Sequence, residues 1–180
     1  MYKMIKPVAA CGLLGLLLLG ACSGEQKFIG EWKSNNPENV MLIQQGGGSA
    51  SAVNTIEFKS GPKNSEGDVV FSSVYEISVP DSMGNPVSVT GNCRADGRWE
   101  LDIDDDDDML MSYDYSSINI EMTGDSLVAA RVRPDVEKIF RDNLTLYSVV
   151  EDVEVNRDQT TLSMEVGSPD KKVYFKRVGL

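Results

Sequence analysis

Histidine is absent from all 180 residues. Ser-His-Asp and Cys-His catalysis are thereby excluded, as is every histidine-based zinc or iron site, because each needs an imidazole as base or ligand. Cysteine is scarce, with only Cys11, Cys22 and Cys93 present. Positive charge is in deficit: 17 Lys and Arg stand against 28 Asp and Glu, a formal net charge of −11. A body of that sign repels phosphate backbones and anionic headgroups, so nucleic-acid binding and docking on lipid through a basic patch are both disfavoured. The apolar stretch from Pro7 to Ala21 holds 15 residues, short of the roughly 20 that a membrane-spanning helix needs.

What is there begins with that stretch. Lys3 and Lys6 precede it and Leu19-Gly20-Ala21-Cys22 closes it, a basic region followed by a hydrophobic one and then small residues. The closing tetrad resembles the lipobox of a bacterial lipoprotein signal peptide, in which the cysteine sulfur is acylated and the chain is cut just before it. A second match, Val8-Ala9-Ala10-Cys11, has almost no hydrophobic run ahead of it. The resemblance implies that residues 1–21 are a leader, that Cys22 carries the palmitate-type lipid, and that residues 22–27 are a tether. The membrane is then the partner, reached through the lipid. One acyl chain gives only marginal residence at about 0.8 kcal/mol per buried methylene, so a stable anchor takes two or more. Ser23 resembles the residue that permits export to the outer membrane, which places the domain in the cell envelope.

Removing residues 1–21 also removes two lysines and no acid, so the net charge becomes 15 − 28 = −13. The remaining 159 residues suffice for one domain, residues 28–180, that buries about 70% of its unfolded surface. Only Cys93 stays a free thiol, which rules out an intrachain disulfide and suits a small buried side chain.

Along that domain the pattern is of short strands. Phe28 to Ser34 reads as the first, broken at Asn35 to Asn39 by Pro37. Met41 to Ala52, with its Gly46-Gly47-Gly48 run, reads as a loop; it lacks the Lys-Ser/Thr of a phosphate-binding loop. Val53 to Lys59 and Asp68 to Val79 read as strands separated by Ser60 to Asn64, and Pro80 to Pro86 as the next turn. Val87, Val89, Gly91 and Cys93 share one face, as do Trp99, Leu101 and Ile103. A three-residue hairpin loop Ala95-Asp96-Gly97 brings the two faces into register. Asp102 to Asp108 fails the EF-hand spacing and reads as a solvated turn, with adventitious calcium binding as the lesser alternative and no metal site assigned. Met109 to Tyr115 follows, then a hairpin of Ser117 to Met122 and Ser126 to Val132. Pro134 to Leu146 is the one helix, with Pro134 at its first position. Glu151 to Asn156, Thr160 to Val166 and Lys172 to Val178 close the chain, with Val153, Val155, Leu162, Met164 and Val166 facing inward. The expected fold is all-β with one helix, an antiparallel meander of about 8–10 strands forming a barrel.

The opening Phe28-Ile29-Gly30-Glu31-Trp32-Lys33-Ser34, the even meander and the ending Val173-Tyr174-Phe175-Lys176-Arg177-Val178 resemble the lipocalin-like, calycin-type lipoproteins of Bacteroides-type bacteria. In lipocalins a Gly-x-Trp on the first strand plugs the barrel base, and a basic side chain from the last strand stacks on the indole. The resemblance implies those structural roles for Gly30, Trp32 and Arg177. It differs in placing the helix before the last strands and in lacking the cysteine pairs of many secreted lipocalins.

The functional expectation is a non-enzymatic envelope lipoprotein that binds a small hydrophobic or amphipathic ligand, with no cofactor and no catalytic residues. Met109, Met111, Tyr113 and Tyr115 fall on one face if extended and are the candidate lining, since methionine and tyrosine adapt to irregular apolar ligands. Ordinary core packing is the competing reading of that stripe. The alternative function is a scaffold lipoprotein with a filled barrel that docks an envelope partner through a strand edge or the acidic turn. For an enzyme, nothing in the sequence sets two carboxylates around a bond to be broken.

Overall fold

The computed structural model describes residues 27–40, 42, 48–102, 104, 107–167 and 169–179. The expected leader, Cys22 and the expected tether through Gln26 lie outside the described residues, as do Gly46, Gly47, Ile103, Asp105 and Asp106. The described residues form ten strands and one α-helix: β1 (Gly30–Ser34), β2 (Glu38–Val40), β3 (Ser49–Phe58), β4 (Glu66–Pro80), β5 (Pro86–Leu101), β6 (Met109–Tyr113), β7 (Asn119–Gly124), α1 (Ser126–Leu146), β8 (Val149–Val155), β9 (Thr161–Val166) and β10 (Lys171–Arg177).

All pairings are antiparallel, and the order β1-β10-β9-β8-β6-β5-β4-β3 returns to β1 through the β1–β3 pairing, closing an eight-stranded lipocalin-like barrel. Two strands stand off this ring. β2 carries on along β3 where β1 leaves it, and β7 pairs β5 beyond the reach of β6.

Period-two alternation decides which side chains enter the interior. On β3 the even residues Ala50, Ala52, Asn54, Ile56 and Phe58 are buried; on β4 the odd residues from Gly67 to Val79 are. The same rule corrects the expected hairpin at Ala95-Asp96-Gly97. Val89, Gly91, Cys93, Ala95, Trp99 and Leu101 all face inward, because β5 runs unbroken through those three residues and pairs β4 along its whole length. The turn joining β4 to β5 is the one expected at Pro80 to Pro86, where Asp81 Oδ1 accepts from the N–H groups of Met83 and Asn85 at 2.8 Å each. Gly97 is a strand residue without a side chain for a packing reason: a Cβ there would lie 2.6 Å from the Ser112 carbonyl oxygen.

The second expected hairpin is also corrected. Ser126 to Val132 is helix, not strand, and Pro134 lies inside α1 rather than at its start. Asp125 caps the helix, its carboxylate accepting from Leu127 N–H and Val128 N–H at 3.0 Å, which satisfies two donors that every helix leaves open. Val128, Val132, Val136, Phe140 and Leu144 then form one buried row at a spacing of four. Pro134 and Ala130 lie on the exposed side of the helix, where the hydrogen bond that proline removes is least costly, and the helix continues through it. β3 likewise begins at Ser49, inside the expected loop. On β8 a bulge between Glu151 and Glu154, with Asp152 at φ 50, resets the alternation, so that Val150 is fully buried while Val153 and Val155 are half-buried. Leu162, Met164 and Val166 face inward on β9.

The core is continuous, but the register divides it along the barrel axis. In the base half Phe28 meets Phe58 and Trp99 edge-on, with centroids 5.3 and 4.9 Å apart. The other half is filled by α1: Phe140 and Tyr147 pack on Phe71, and Tyr147 on Phe175. Gly91 makes room for it, since a Cβ there would meet Val136 at 3.4 Å and the Met122 sulfur at 3.1 Å.

Candidate functional site

Pro37 and the two asparagines before it determine where the barrel wall is incomplete. β1 pairs β10 through Trp32–Arg177, Lys33–Lys176 and Ser34–Phe175, and Asn35 N–H still donates to the Tyr174 carbonyl at 3.2 Å. Proline has no N–H to continue the ladder. The chain kinks over 35–37 and resumes as β2, which pairs β3 and not β10. A seam is left between β2 and the first residues of β10, bridged by the Glu38–Lys171 ion pair at 3.3 Å. It opens into a pocket of about 190 Å³, walled by Ser34, Asn35, Asn36, Pro37, Glu38, Tyr147, Lys171, Lys172, Val173, Tyr174 and Phe175.

Behind the pocket wall is a buried polar group. Asn54 is fully buried on β3, with its backbone N–H donating to Ser34 Oγ at 3.1 Å and its Oδ1 accepting from Ser73 Oγ at 2.7 Å. Its Nδ2 has no hydrogen-bond partner among the described residues. The Tyr147 hydroxyl lies beside this amide, held there because Tyr147 caps the C-terminus of α1. Tyr75 adds a second hydroxyl, next to Ser73 and 3.5 Å from Asn143 Nδ2. Burial pushes both phenols well above the usual tyrosine range, and the negative charge of Glu38 adds to the effect. Both are therefore neutral hydroxyls at any physiological pH. The cluster presents buried hydroxyl and amide groups for hydrogen bonding.

The expected lining residues are placed differently. Met109 and Met111 are sealed in the base half of the core, 1% and 2% exposed. The Tyr113 hydroxyl donates to Met111 Sδ at 3.2 Å. Tyr115 has left the strand for a single 3₁₀ turn, where it is exposed, its ring 5.7 Å from the Arg141 guanidinium. Met109, Met111 and Tyr113 share the inward face of β6, as the alternation predicts, and only Tyr115 leaves it.

Gly30, Trp32 and Arg177 come together at the base. The Arg177 guanidinium carbon is 4.4 Å from the Trp32 ring centre. Its three nitrogens donate to the carbonyls of Gln159, Ile29 and Lys27 at 2.9, 3.1 and 2.6 Å. Gly30 adopts φ +128, where a Cβ would lie 3.1 Å from Arg177 Nη1, so glycine serves both the conformation and the approach. Cys93 is buried, its thiol pushed up to about 12 by desolvation.

Asp102, Asp104 and Asp107 are exposed at the β5–β6 turn and Asp108 is half-buried there, with Asp104 N–H donating to Asp102 Oδ1 at 2.9 Å. Among the described residues no three His, Cys, Asp or Glu side chains are placed to hold a metal ion. None of the described helices is long and apolar enough to cross a membrane.

Sequence reasoning missed Asn54 and Tyr147. A polar Asn on the inward face of β3, between Ala52 and Ile56, was the available signal. No protein-family model matches the chain, and no curated protein matches it either.

Proposed function

We propose that the chain is an envelope lipoprotein, tethered through acylated Cys22, whose lipocalin-like domain binds a small amphipathic ligand without chemically changing it. The observation that supports ligand binding is the seam pocket, backed by a fully buried amide with hydrogen-bonding capacity to spare. Buried polar groups are normally satisfied, and an exception calls for an explanation such as an absent partner. A protein starting at Ser23 and titrated with a neutral or fatty-acid-type fluorescent probe is expected to show saturable binding; no binding at tens of micromolar ends this reading. Lipid attachment is tested separately. Cells given radioactive palmitate should label the wild-type chain and not Cys22→Ala.

A second reading is favoured by the packing. Trp32, Trp99, Phe58, Phe71, Phe140 and Phe175 fill the barrel axis, as a scaffold that docks a protein partner would have it. A co-purifying envelope protein, together with no ligand binding, would select it.

A further inference from the structure

A second hollow opens on the outside of the barrel, where the end of α1 meets the ladder of β8 and β9. Its volume is about 520 Å³, within the roughly 300–1,000 Å³ of ligand-sized sites, and it shares no lining residue with the seam pocket. Its apolar surface is accessible. Val149 is 53% exposed on the hollow's wall, and Leu110, directly opposite it on β6, extends the apolar surface at 49%. Leu146 adds the third apolar side chain. Gly167, at φ +80, leaves room for it, since a Cβ there would lie 2.7 Å from Leu146 Cδ1.

The charged side chains that line this hollow all have one sign. Glu151 on β8 and Glu165 on β9 are directly opposed, and like charges so placed repel each other. Asp170, in the turn before β10, is the third carboxylate. Glu165 has Lys172 at 3.9 Å, the longest ion pair among the described residues, whereas Glu151 and Asp170 have none there. Thr145 and Leu146 are the last residues of a 21-residue helix with no basic side chain in its final turn, so the negative end of its dipole adds to the same field. Arg141, one turn back, is held by Glu137 at 2.9 Å. No three carboxylates among the described residues are placed to hold a metal ion. The complement of this surface is therefore a cation that carries its own apolar body.

We infer that the hollow between the end of α1 and the β8–β9 ladder takes a small organic ammonium ion, its charge among Glu151, Glu165 and Asp170 and its apolar body on Leu146 and Val149. The inference does not depend on the seam pocket.

The test titrates the protein starting at Ser23, uniformly labelled with nitrogen-15, with hexylammonium, hexanol and hexanoate, three probes with one alkyl chain. Hexylammonium is expected to shift the backbone amides of Leu146, Val149, Glu151 and Gly167 saturably. Hexanol should bind there about tenfold more weakly, and hexanoate should leave these amides in place. Glu151→Gln and Asp170→Asn should each weaken hexylammonium about threefold. Val149→Thr should weaken it about fourfold, the worth of one buried methyl. All three side chains are exposed, so the variants keep the core intact. Asp104→Asn, in the acidic β5–β6 turn, should change nothing. Hexanol binding as tightly as hexylammonium, equal losses in Asp104→Asn and Glu151→Gln, or shifts confined to another surface would overturn the inference. Tighter binding in the hollow by the tripeptide acetyl-Ala-Lys-Ala-amide would overturn it too, assigning the surface to a basic segment of a protein partner. None of these outcomes touches the seam reading, which neutral and fatty-acid-type probes report through Ser34 and Val173.

Discussion

In the base half of the barrel the polar atoms are accounted for one by one, whereas in the helix-filled half they are not. Trp32 Nε1 donates to the Phe28 carbonyl at 2.6 Å and Trp99 Nε1 to the Lys59 carbonyl at 2.9 Å. Arg177 spends three nitrogens on three carbonyls while its flat face covers the Trp32 indole. The other half contains Asn54 with a donor to spare, two phenols and a thiol, all buried. The same two strands, β1 and β10, border both halves. The difference arises just past Ser34, where a kink at Asn35 to Pro37 ends the pairing with β10 and leaves a pocket walled in part by Ser34 and Tyr147, with Asn54 behind them. One end of the barrel is closed by polar groups that all have partners, and the other holds a buried amide nitrogen with no hydrogen-bond partner among the described residues.

Alkali is expected to separate the halves most strongly. In the unfolded chain the thiol and phenols ionise near their ordinary values of 9.0 and 10.0, while folded Cys93 is pushed up to about 12 and the buried phenols of Tyr75, Tyr147 and, on β6, Tyr113 higher still. Above pH 9 the unfolded state thus holds fewer protons than the folded one. Stability is fully present below that pH and falls as pH rises toward 12. The indoles and Arg177 do not ionise in this range, so hydrogen exchange between pH 9 and 11 should accelerate around β2 and α1 before it does at β1. Earlier loss at β1 would contradict this division of the barrel.

Trp32→Ala comes next. It removes a fully buried indole and leaves a cavity, which costs about 3–5 kcal/mol, read as a lowered denaturant midpoint. Arg177→Met keeps much of the volume but strips three carbonyls of their donors and the indole of its cation. About 1–3 kcal/mol is expected, and Arg177→Lys should recover only part of it, since a lysine cannot form the same planar fork.

The base was far more legible in the sequence than the seam, and the reason is physical. Gly30, Trp32 and Arg177 sit on regular strands, where alternation fixes the face and a large aromatic fixes the inside. The break at Pro37 was also readable, because proline states its own backbone geometry. Two kinds of feature were not. Gly97 carried a turn signal that the long β4–β5 ladder overrode, since a glycine needed for close approach to Ser112 looks the same in sequence as one needed for a bend. Ser126 to Val132 has β-branched residues at both strand-like and helix-like spacing. Only the cap at Asp125 and the continuation through Val136, Phe140 and Leu144 decide for the helix. The polar cluster behind the pocket wall depended on Asn54 and Tyr147, 93 positions apart, being brought together by the helix end. Nothing local in either segment announces that meeting.

Because α1 fills the upper half, its cap is a sensitive point of the comparison. Asp125→Ala removes the acceptor for two N–H groups and should cost about 1 kcal/mol. The loss should appear as faster exchange in the first turn of α1, with the base unaffected.

The smallest predicted effect on stability is the most discriminating. Replacing Asn54 by Leu and Ser73 by Ala removes a buried hydrogen bond at 2.7 Å together with the surplus amide N–H. Taking away both partners of a buried pair is close to neutral, and removing an unsatisfied donor is favourable. The double variant should therefore unfold at a denaturant midpoint equal to or slightly above that of the wild type. The same logic applied at the base gives the opposite sign, since every polar group there already has its partner. A clear loss of stability in the double variant would mean that the Asn54 amide is a satisfied structural element like those around Trp32, and the two halves of the barrel would then be alike.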